Sequence, residues 1–223
     1  MASCLPNEAT LCANPAKRGT SFQRLQPIAD STVSRSAKDD DWGEETRFEI
    51  RNLDSALSIE EYERQEKFPI HLVLDNLRSA FNVGSLFRTA DTARISRILT
   101  CGYTAHPPHP RLEKTALGTL AYVSTEHFET TAAAVQTLKD EGIPVYALET
   151  TSQSRSYVNV RFPRPLGLVL GNEALGVERE ILDLCDEVIE IPMFGFKNSL
   201  NVANACSVVL FEILRQWGAF SDP

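Results

Sequence analysis

Short apolar runs alternate with amphipathic stretches along the chain from Pro69 onward. Continuous apolar runs bounded by glycine or proline are typical of strands buried on both faces of a parallel sheet. The runs predict strands over residues 70–74, 97–101, 144–148, 166–170 and 187–191. The stretches between them predict helices over residues 84–93, 130–141, 178–185 and 201–217. This alternation predicts an α/β fold with a single, mostly parallel sheet and helices on both faces.

The last predicted helix, residues 201–217, is apolar on nearly every side. Its residues Val202, Val208, Val209 and Phe211 do not keep to one stripe. A helix with this pattern is covered on more than one side. A homodimer interface would supply the second covering, and packing beneath another helix would also supply it.

The first 68 residues differ from the rest of the chain. Residues 1–38 are rich in Ser, Ala, Thr and Arg and lack hydrophobic periodicity, which predicts a disordered tail. An ordinary solvated tail implies a cytoplasmic protein, whereas a transit peptide of this composition would imply an organellar one. The acidic segment 39–68 ends in a predicted helix, residues 58–67, with Ser58 as its N-cap and Glu61 three residues on.

The formal charge of −8 comes from one part of the chain. Residues 39–66 hold eleven acids and three bases, so the remainder has nineteen charged residues of each sign. The acidic balance therefore does not exclude a nucleic-acid partner for the rest of the chain. Residues 78–97 show the opposite bias, with four arginines against Asp91 alone.

The sequence indicates neither a metal site nor a disulfide framework. The five cysteines lack CxxC spacing, and Cys101, Cys185 and Cys206 stand in apolar surroundings that predict buried, reduced thiols. His106 and His109 are separated by prolines, which argues against a helical ligand pair and favours a rigid exposed loop. No apolar run approaches the length of a membrane span, so no membrane partner is expected.

Three separated segments carry polar residues beside the ends of predicted strands. They are Asn82-Val-Gly-Ser-Leu-Phe-Arg88, Gly171-Asn-Glu173-Ala-Leu-Gly176, and Ile191-Pro-Met193 with Ser199-Leu-Asn201. Open α/β sheets bind their ligands at the carboxyl ends of the strands, so the segments predict one composite site.

Each segment also has a purely structural interpretation. Arg88 would form a surface ion pair with Asp91, and Asn82 would cap the following helix. Glu173 would be a solvated acid in a turn, and the loop ending in Asn201 would cap the last helix.

In their order and spacing, the three segments resemble the three motifs of the SpoU/TrmH family, RNA 2′-O-ribose methyltransferases of the SPOUT superfamily. The resemblance covers residues 69–217 and implies a methyltransferase domain over 69–218. It further implies a C-terminal trefoil knot, S-adenosyl-L-methionine (SAM) as methyl donor, a homodimer, and chemistry that needs no metal. The expected RNA partner is tRNA or rRNA. Some members of the family carry an N-terminal RNA-binding domain, and residues 1–68 are too acidic and aperiodic to form one.

The resemblance assigns a catalytic set, namely Asn82, Arg88, Glu173, Ser199 and Asn201. Arg88 matches the catalytic arginine of the family. Because the pKa of an arginine exceeds about 12, it is a poor base, and we expect Arg88 to grip a phosphate and to stabilise the developing 2′-alkoxide. Glu173 is expected to orient Arg88 or Asn201, and Ser199 and Asn201 are expected on the substrate side.

The resemblance also implies a SAM pocket. Its expected residues are Leu148, Glu149, Thr150, Gly171, Gly176, Ile191, Met193 and Leu200. Gly171 and Gly176 are expected to allow close backbone approach or a positive φ. Apolar walls and a few backbone hydrogen bonds suit an adenine ring.

Three further bases are candidates for contacting RNA phosphates, namely Arg78, Arg111 and Lys114. Residues 111–119 resemble a substrate-facing loop in a subset of the family, although Arg111 and Lys114 would equally serve as ordinary surface charges.

Two other functions compete with methyl transfer. A catalytically silent RNA- or SAM-binding module of the same fold would be free to lose the polar residues of the three motifs, and this chain retains them. A nucleotide-binding dehydrogenase would show GxGxxG after the first strand, and residues 74–78 have no such sequence.

Overall fold

Seven parallel strands form the centre of the computed structural model, which describes residues 58–220. The strands are Phe68–Asp75 (β1), Ile95–Cys101 (β2), Ser124–Phe128 (β3), Val145–Leu148 (β4), Arg155–Ser156 (β5), Leu166–Leu170 (β6) and Glu187–Glu190 (β7). Their order across the sheet is β3-β2-β1-β6-β4-β7-β5. The expectation of a single parallel sheet is therefore confirmed, with β1, β6 and β4 at its centre.

Helices cover both faces of this sheet, as predicted. They are Ile59–Glu63 (α1), Ala80–Thr92 (α2), Pro110–Ala116 (α3), Thr131–Asp140 (α4), Arg179–Leu184 (α5) and Val202–Gln216 (α6). On one face, α2, α3 and α6 bury Phe87, Leu112 and Leu210 against the sheet. On the other face, α4 and α5 bury Leu138 and Ile181. Burial on both sides explains why the central strands are continuous apolar runs.

The sequence did not reveal β3 and α3. The strand Ser124–Phe128 lies at the edge of the sheet and has no fully buried residue, so it lacks an apolar run. The helix Pro110–Ala116 buries only Leu112 and Ala116, and the His109 ring caps it by accepting a hydrogen bond from Leu112 N at 3.3 Å. The interpretation of His106 to His109 as a loop is thus right, but the segment that follows it is a helix.

The first residue of α2 differs from the predicted one because of the residue that caps the helix. The helix begins at Ala80 rather than at Gly84, because the Ser79 hydroxyl accepts a hydrogen bond from Asn82 N at 3.3 Å. The interpretation of Asn82 as the cap is therefore wrong, and its side chain is available for other contacts. Arg88 consequently lies in the third turn of α2 rather than near its start.

The capping box that was predicted at Ser58 is present, with Glu61 accepting a hydrogen bond from Ser58 N at 2.8 Å. The helix ends at Glu63, four residues earlier than predicted. The predicted tail, residues 1–38, and the acidic residues before Ser58 lie outside the described residues.

The three cysteines among the described residues are buried to different extents. Cys101 and Cys206 are fully buried, as predicted, whereas Cys185 is only half-buried at the end of α5. All three are free thiols, and burial raises the pKa of each to about 12.

The outer side of α6 departs from the burial on all sides that its apolar sequence predicts. Cys206, Val209 and Ile213 face the core, but Val208 and Phe211 are each 40% exposed. α6 packs against α2, where the Thr89 and Ser207 hydroxyls lie 3.3 Å apart, so another helix supplies part of the second covering and leaves Val208 and Phe211 partly exposed. Among residues 58–220, no helix has the length and apolar character to cross a membrane.

His71 makes the stability of the fold depend on pH. It pairs in register with Arg97 on the neighbouring strand, and its Nδ1 accepts a hydrogen bond from Arg97 Nε at 3.0 Å. Burial, followed by the charge of Arg97, lowers the pKa of His71 from 6.5 to about 4, while Glu141 acts in the opposite direction. The folded protein therefore keeps this ring neutral in a pH range where the unfolded chain binds a proton there.

We expect the free energy of unfolding to fall between about pH 7 and pH 5, by at most about 2 kcal/mol from His71. The sign follows because the unfolded state binds more protons in this range, and solvent at the ring edge reduces the effect. Urea unfolding of the wild type and of His71→Gln measures it, since glutamine keeps an acceptor for Arg97 but does not titrate. An equal loss of stability in the two proteins would contradict the prediction.

Candidate active site

Three loops at the carboxyl ends of β4, β6 and β7 enclose a cavity of about 700 Å³. The loops are residues 148–150, 171–176 and 191–201. Because these three strands are neighbours in the sheet, their following loops meet at one edge, which is where open α/β sheets bind ligands. We refer to this space as the strand-end cavity.

All the predicted cofactor residues line the strand-end cavity. They are Leu148, Glu149, Thr150, Gly171, Gly176, Ile191, Met193 and Leu200. Four of the five predicted catalytic residues line it too, namely Asn82, Glu173, Ser199 and Asn201. Arg88 is the member of the set that does not.

Sequence reasoning missed several lining residues. They are Leu170, Asn172, Ala174, Leu175, Glu190, Asn198, Val202 and Ala205. Most stand beside a motif residue in the sequence and were within reach of the same argument. Ala205 is different, because only the direction of α6 brings its first turn against the cavity.

Glu173 ties two of the motif segments together. Its carboxylate accepts hydrogen bonds from Arg78 N at 2.9 Å, Ser79 N at 3.1 Å and Asn82 Nδ2 at 2.7 Å. Partial burial acts to raise the pKa of Glu173, but these hydrogen bonds outweigh it and hold the pKa below its ordinary value. The ionised carboxylate thus fastens the loop after β6 to the turn before α2, rather than being a merely solvated acid.

Asn82 and Asn201 extend this network to the third segment. Asn201 Nδ2 donates to Asn82 Oδ1 at 3.0 Å, and Asn201 Oδ1 accepts from Ala203 N at 3.0 Å. Asn201 is therefore both the cap of α6 and a member of the cavity wall. The chain Glu173–Asn82–Asn201 joins all three motifs by side-chain hydrogen bonds, and Glu173 is linked to Asn201 through Asn82 rather than directly.

The two glycines of the loop after β6 have different tasks. A Cβ on Gly171 would stand 2.5 Å from the backbone of Gly176 and Val177, so this position needs close backbone approach and not a positive φ. Gly176 does have a positive φ, of 72°, and a Cβ there would collide with the Glu149 carboxylate. Glu149 in turn accepts a hydrogen bond from Val177 N at 2.9 Å, which holds the loop against the end of β4.

The strand-end cavity has a one-sided charge. Glu149, Glu173 and Glu190 line it, and among residues 58–220 no lysine, arginine or histidine does. Its apolar walls include Leu148, Ile191 and other aliphatic side chains. Such a cavity favours a ligand that carries positive charge together with an apolar ring.

Arg88 projects from the exposed side of α2, outside this cavity. The predicted ion pair with Asp91 is wrong, because Asp91 accepts a hydrogen bond from the Tyr62 hydroxyl at 2.7 Å instead. Glu173 does not orient Arg88 within the chain either, since its carboxylate faces the turn before α2. Within the described part of the chain, the Arg88 guanidinium makes no hydrogen bond or ion pair.

The candidate RNA contacts are divided between two places. Arg78 and Arg111 line a second, smaller cavity, and Lys114 is exposed on α3 outside both cavities. Among residues 58–220, no group of three or more His, Cys, Asp or Glu side chains is placed to hold a metal ion.

Comparison with known sequences places this arrangement in a family. A sequence model of the SpoU rRNA methylase family matches residues 69–211, which include the whole of the strand-end cavity and α2. This chain belongs to the SpoU rRNA methylase family. The SpoU resemblance that the three motifs indicated is thereby confirmed.

The SpoU chain is similar to relatives that are longer than itself. A protein of Staphylococcus saprophyticus named for the TrmH family of tRNA/rRNA methyltransferases is 29% identical over 164 residues, which are 74% of this chain and 66% of the relative. The corresponding Staphylococcus aureus protein is 29% identical, and the chain spans 63% of its length.

Solved structures share the SpoU fold. An AdoMet-bound rRNA methyltransferase from Sinorhizobium meliloti is 28% identical, with a TM-score of 0.62 over 66% of this chain and 56% of that one. A protein whose structure concerns 2-OH methylation of C/U34 on tRNA is 27% identical, with a TM-score of 0.61 over 67% of this chain and 97% of that one.

We expect Glu173→Gln to lower the free energy of unfolding by about 1 kcal/mol, because the amide NH₂ cannot accept from the donors that the carboxylate satisfies. Glu178→Gln is the matched control, since this exposed acid nearby makes no side-chain capping bond. Chemical unfolding of both variants at neutral pH measures the difference. Equal stability of the two variants would show that the Glu173 network contributes nothing.

Proposed function

We propose that this chain is a SAM-dependent RNA methyltransferase that transfers a methyl group to a ribose 2′-hydroxyl of tRNA or rRNA. The observation that carries the proposal is the joining of the three motifs, through Glu173, Asn82 and Asn201, at the wall of the strand-end cavity. Membership of the SpoU family and the similarity to a protein concerned with 2-OH methylation on tRNA support it.

The residues of the strand-end cavity fit SAM. Bound SAM supplies a methyl group activated by a sulfonium cation. Three carboxylates and no base suit a ligand with a positive sulfonium and ammonium group, and Leu148 and Ile191 suit an adenine ring. The similar Sinorhizobium meliloti structure is described as AdoMet-bound, which agrees with this assignment.

Arg88 supplies the positive charge that the lining of the strand-end cavity lacks. A guanidinium remains protonated at any physiological pH, so it cannot take the proton of the 2′-hydroxyl. It can pair with the phosphate beside the target ribose and stabilise negative charge that develops on the 2′-oxygen. A phosphate held by Arg88 would lie at the rim of the cavity rather than inside it, because Glu149 and Glu190 would repel it.

We propose further that two copies of the chain complete one active site. Asn82 and Arg88 are six residues apart, which is about 9 Å along α2, and Arg88 does not line the cavity of its own chain. An exposed apolar stripe runs from Leu200, just before α6 and at the cavity, through Val208 and Phe211 to Phe220 after the helix. Phe220 stacks on Phe211 with ring centroids 6.1 Å apart. A second copy that covers this stripe lies next to the cavity and can carry its own Arg88 toward it.

A tRNA target is favoured over rRNA by one comparison. The tRNA-related structure is matched over 97% of its length, so nearly the whole of that protein is similar to 67% of this chain. This support is analogy at the level of the family.

Arg88→Ala should abolish methyl transfer and leave SAM affinity within a few fold, because Arg88 lies outside the strand-end cavity. Transfer of labelled methyl groups from SAM to bulk tRNA and rRNA, together with calorimetric titration of SAM, measures both properties. Arg179→Ala, which removes a largely exposed arginine on α5, serves as the charge-matched control. Lost SAM binding in Arg88→Ala, or undiminished transfer, would refute the assigned role.

Mixed dimers test whether Arg88 acts across the interface. Arg88→Ala is co-expressed with Gly171→Val under two affinity tags, and the heterodimer is isolated. If Arg88 serves the partner's cavity, the heterodimer has one intact site and about half of the wild-type rate. An inactive heterodimer, formed from two folded partners, would place Arg88 in the site of its own chain; Glu173→Gln is the second cavity variant if Gly171→Val does not fold.

A further inference from the structure

A second cavity lies on the other side of the loop that follows β6. We call it the Tyr103 cavity; it has a volume of about 290 Å³, and its wall includes Arg78, Tyr103, His106, Pro108, His109 and Arg111. This volume is just below the range for small-ligand pockets, about 300 to 1,000 Å³, and suits one nucleotide unit rather than a larger ligand. None of its aromatic or histidine side chains has a role in the function proposed above.

The two cavities share one wall. Asn172 lines the strand-end cavity, and its Nδ2 donates a hydrogen bond to the Tyr103 hydroxyl at 2.7 Å. Arg78 lines the Tyr103 cavity, and its backbone N–H donates to Glu173, which lines the other. An RNA strand that enters one cavity therefore lies directly beside the other.

The Tyr103 cavity is held by buried hydrogen bonds. Thr104, which is 1% exposed, accepts a hydrogen bond from Leu77 N at 2.9 Å and donates one to the carbonyl of Leu74 at 3.0 Å. The phenol of Tyr103 is fixed by Asn172, yet the side chain remains 61% exposed. An immobilised aromatic ring with an open face is a stacking platform that binds at low entropic cost.

The charge of the Tyr103 cavity is opposite to that of the strand-end cavity. Arg78 and Arg111 line it, no acid does among residues 58–220, and neither guanidinium makes a hydrogen bond or ion pair within that range. His109 accepts a hydrogen bond at Nδ1, so its Nε2–H is left as a donor. His106 stacks on His127, with ring centroids 3.7 Å apart.

We propose that the Tyr103 cavity holds a ribonucleotide next to the one that is methylated, with its base stacked on Tyr103 and its phosphate paired with Arg78 and Arg111. Aromatic faces with neighbouring guanidinium groups are the chemistry by which proteins bind unpaired nucleotides. The proposal rests on the proposed function for the identity of the ligand. It adds a subsite that selects RNA whose target ribose is in a single-stranded or splayed segment.

Two binding experiments test the subsite without depending on methyl transfer. The probe is a fluorescent single-stranded RNA of twelve nucleotides, followed by anisotropy, with bulk tRNA as competitor. Tyr103→Ala should weaken binding about tenfold through loss of one stacked base. Tyr103→Phe keeps the ring and should stay within about threefold. Both variants lose the hydroxyl to which Asn172 donates, so their SAM affinities should equal each other.

The arginines are tested through salt dependence. The double variant Arg78→Gln/Arg111→Gln should lower the slope of log affinity against log salt by about 1.4, or about 0.7 for each lost phosphate contact with single-stranded RNA. Arg155→Gln is the control for each single charge lost, because it removes one positive charge on β5, at the opposite edge of the sheet from β3 and β2.

The outcomes separate the subsite from the proposed function. Wild-type protein that binds the RNA probe through Tyr103 but methylates neither tRNA nor rRNA would overturn the function and uphold the nucleotide site. Wild-type protein that methylates RNA, with unaltered RNA binding in Tyr103→Ala and an unaltered salt slope in the arginine variant, would overturn the subsite and uphold the function. A lowered salt slope in the arginine variant, together with unaltered RNA binding in Tyr103→Ala, would refute the stacking of a base on Tyr103.

Discussion

The carboxylate of Glu173 is the point at which the motifs of this protein are joined. It accepts two hydrogen bonds from the turn before α2 and a third from Asn82 within α2, and Asn82 also accepts one from Asn201. Without that acceptor, two backbone N–H groups and one amide would lose their partner at the edge of the sheet. The loop that follows β6 would then lose its side-chain hydrogen bond to α2, whereas Asn201 in the loop after β7 would still donate to Asn82. This anion therefore fixes the Asn82 side chain at the strand-end cavity, while Glu149 is held separately by Val177 N.

Charge is separated across the loop that Glu173 anchors. Carboxylates line the strand-end cavity, and arginines stand on α2, on α3 and in the turn between β1 and α2. This arrangement explains how a chain with a net charge of −8 is compatible with an RNA partner. The acidic surplus belongs to residues 39–66, and the described part presents its bases where a phosphate backbone can reach them.

Much of the fold could be read from the sequence because its central strands are buried on both faces. Leu166–Leu170 is a strand with the bounds that were predicted, since every side chain in it is buried. The edge strand Ser124–Phe128 gave no such signal, because water covers most of its side chains. The start of α2 was misplaced since Gly84 suggested a beginning, whereas the Ser79 hydroxyl sets it. The site residues were found by their motifs, but the direction in which Arg88 projects depends on the packing of α2. The trefoil knot concerns the path of the chain through these loops and stays a prediction.

The wall shared by the two cavities has a consequence for how their ligands communicate. Asn172 and Glu173 each lie in the loop after β6, with one cavity on either side. A ligand that stiffens or shifts this loop from one side changes the free energy of binding on the other. Thermodynamic linkage requires the effect to be reciprocal, so methyl donor and nucleotide would alter each other's dissociation constants by the same factor. Ordered loading of the two substrates would then need no moving domain, only a loop of six residues with glycine at each end.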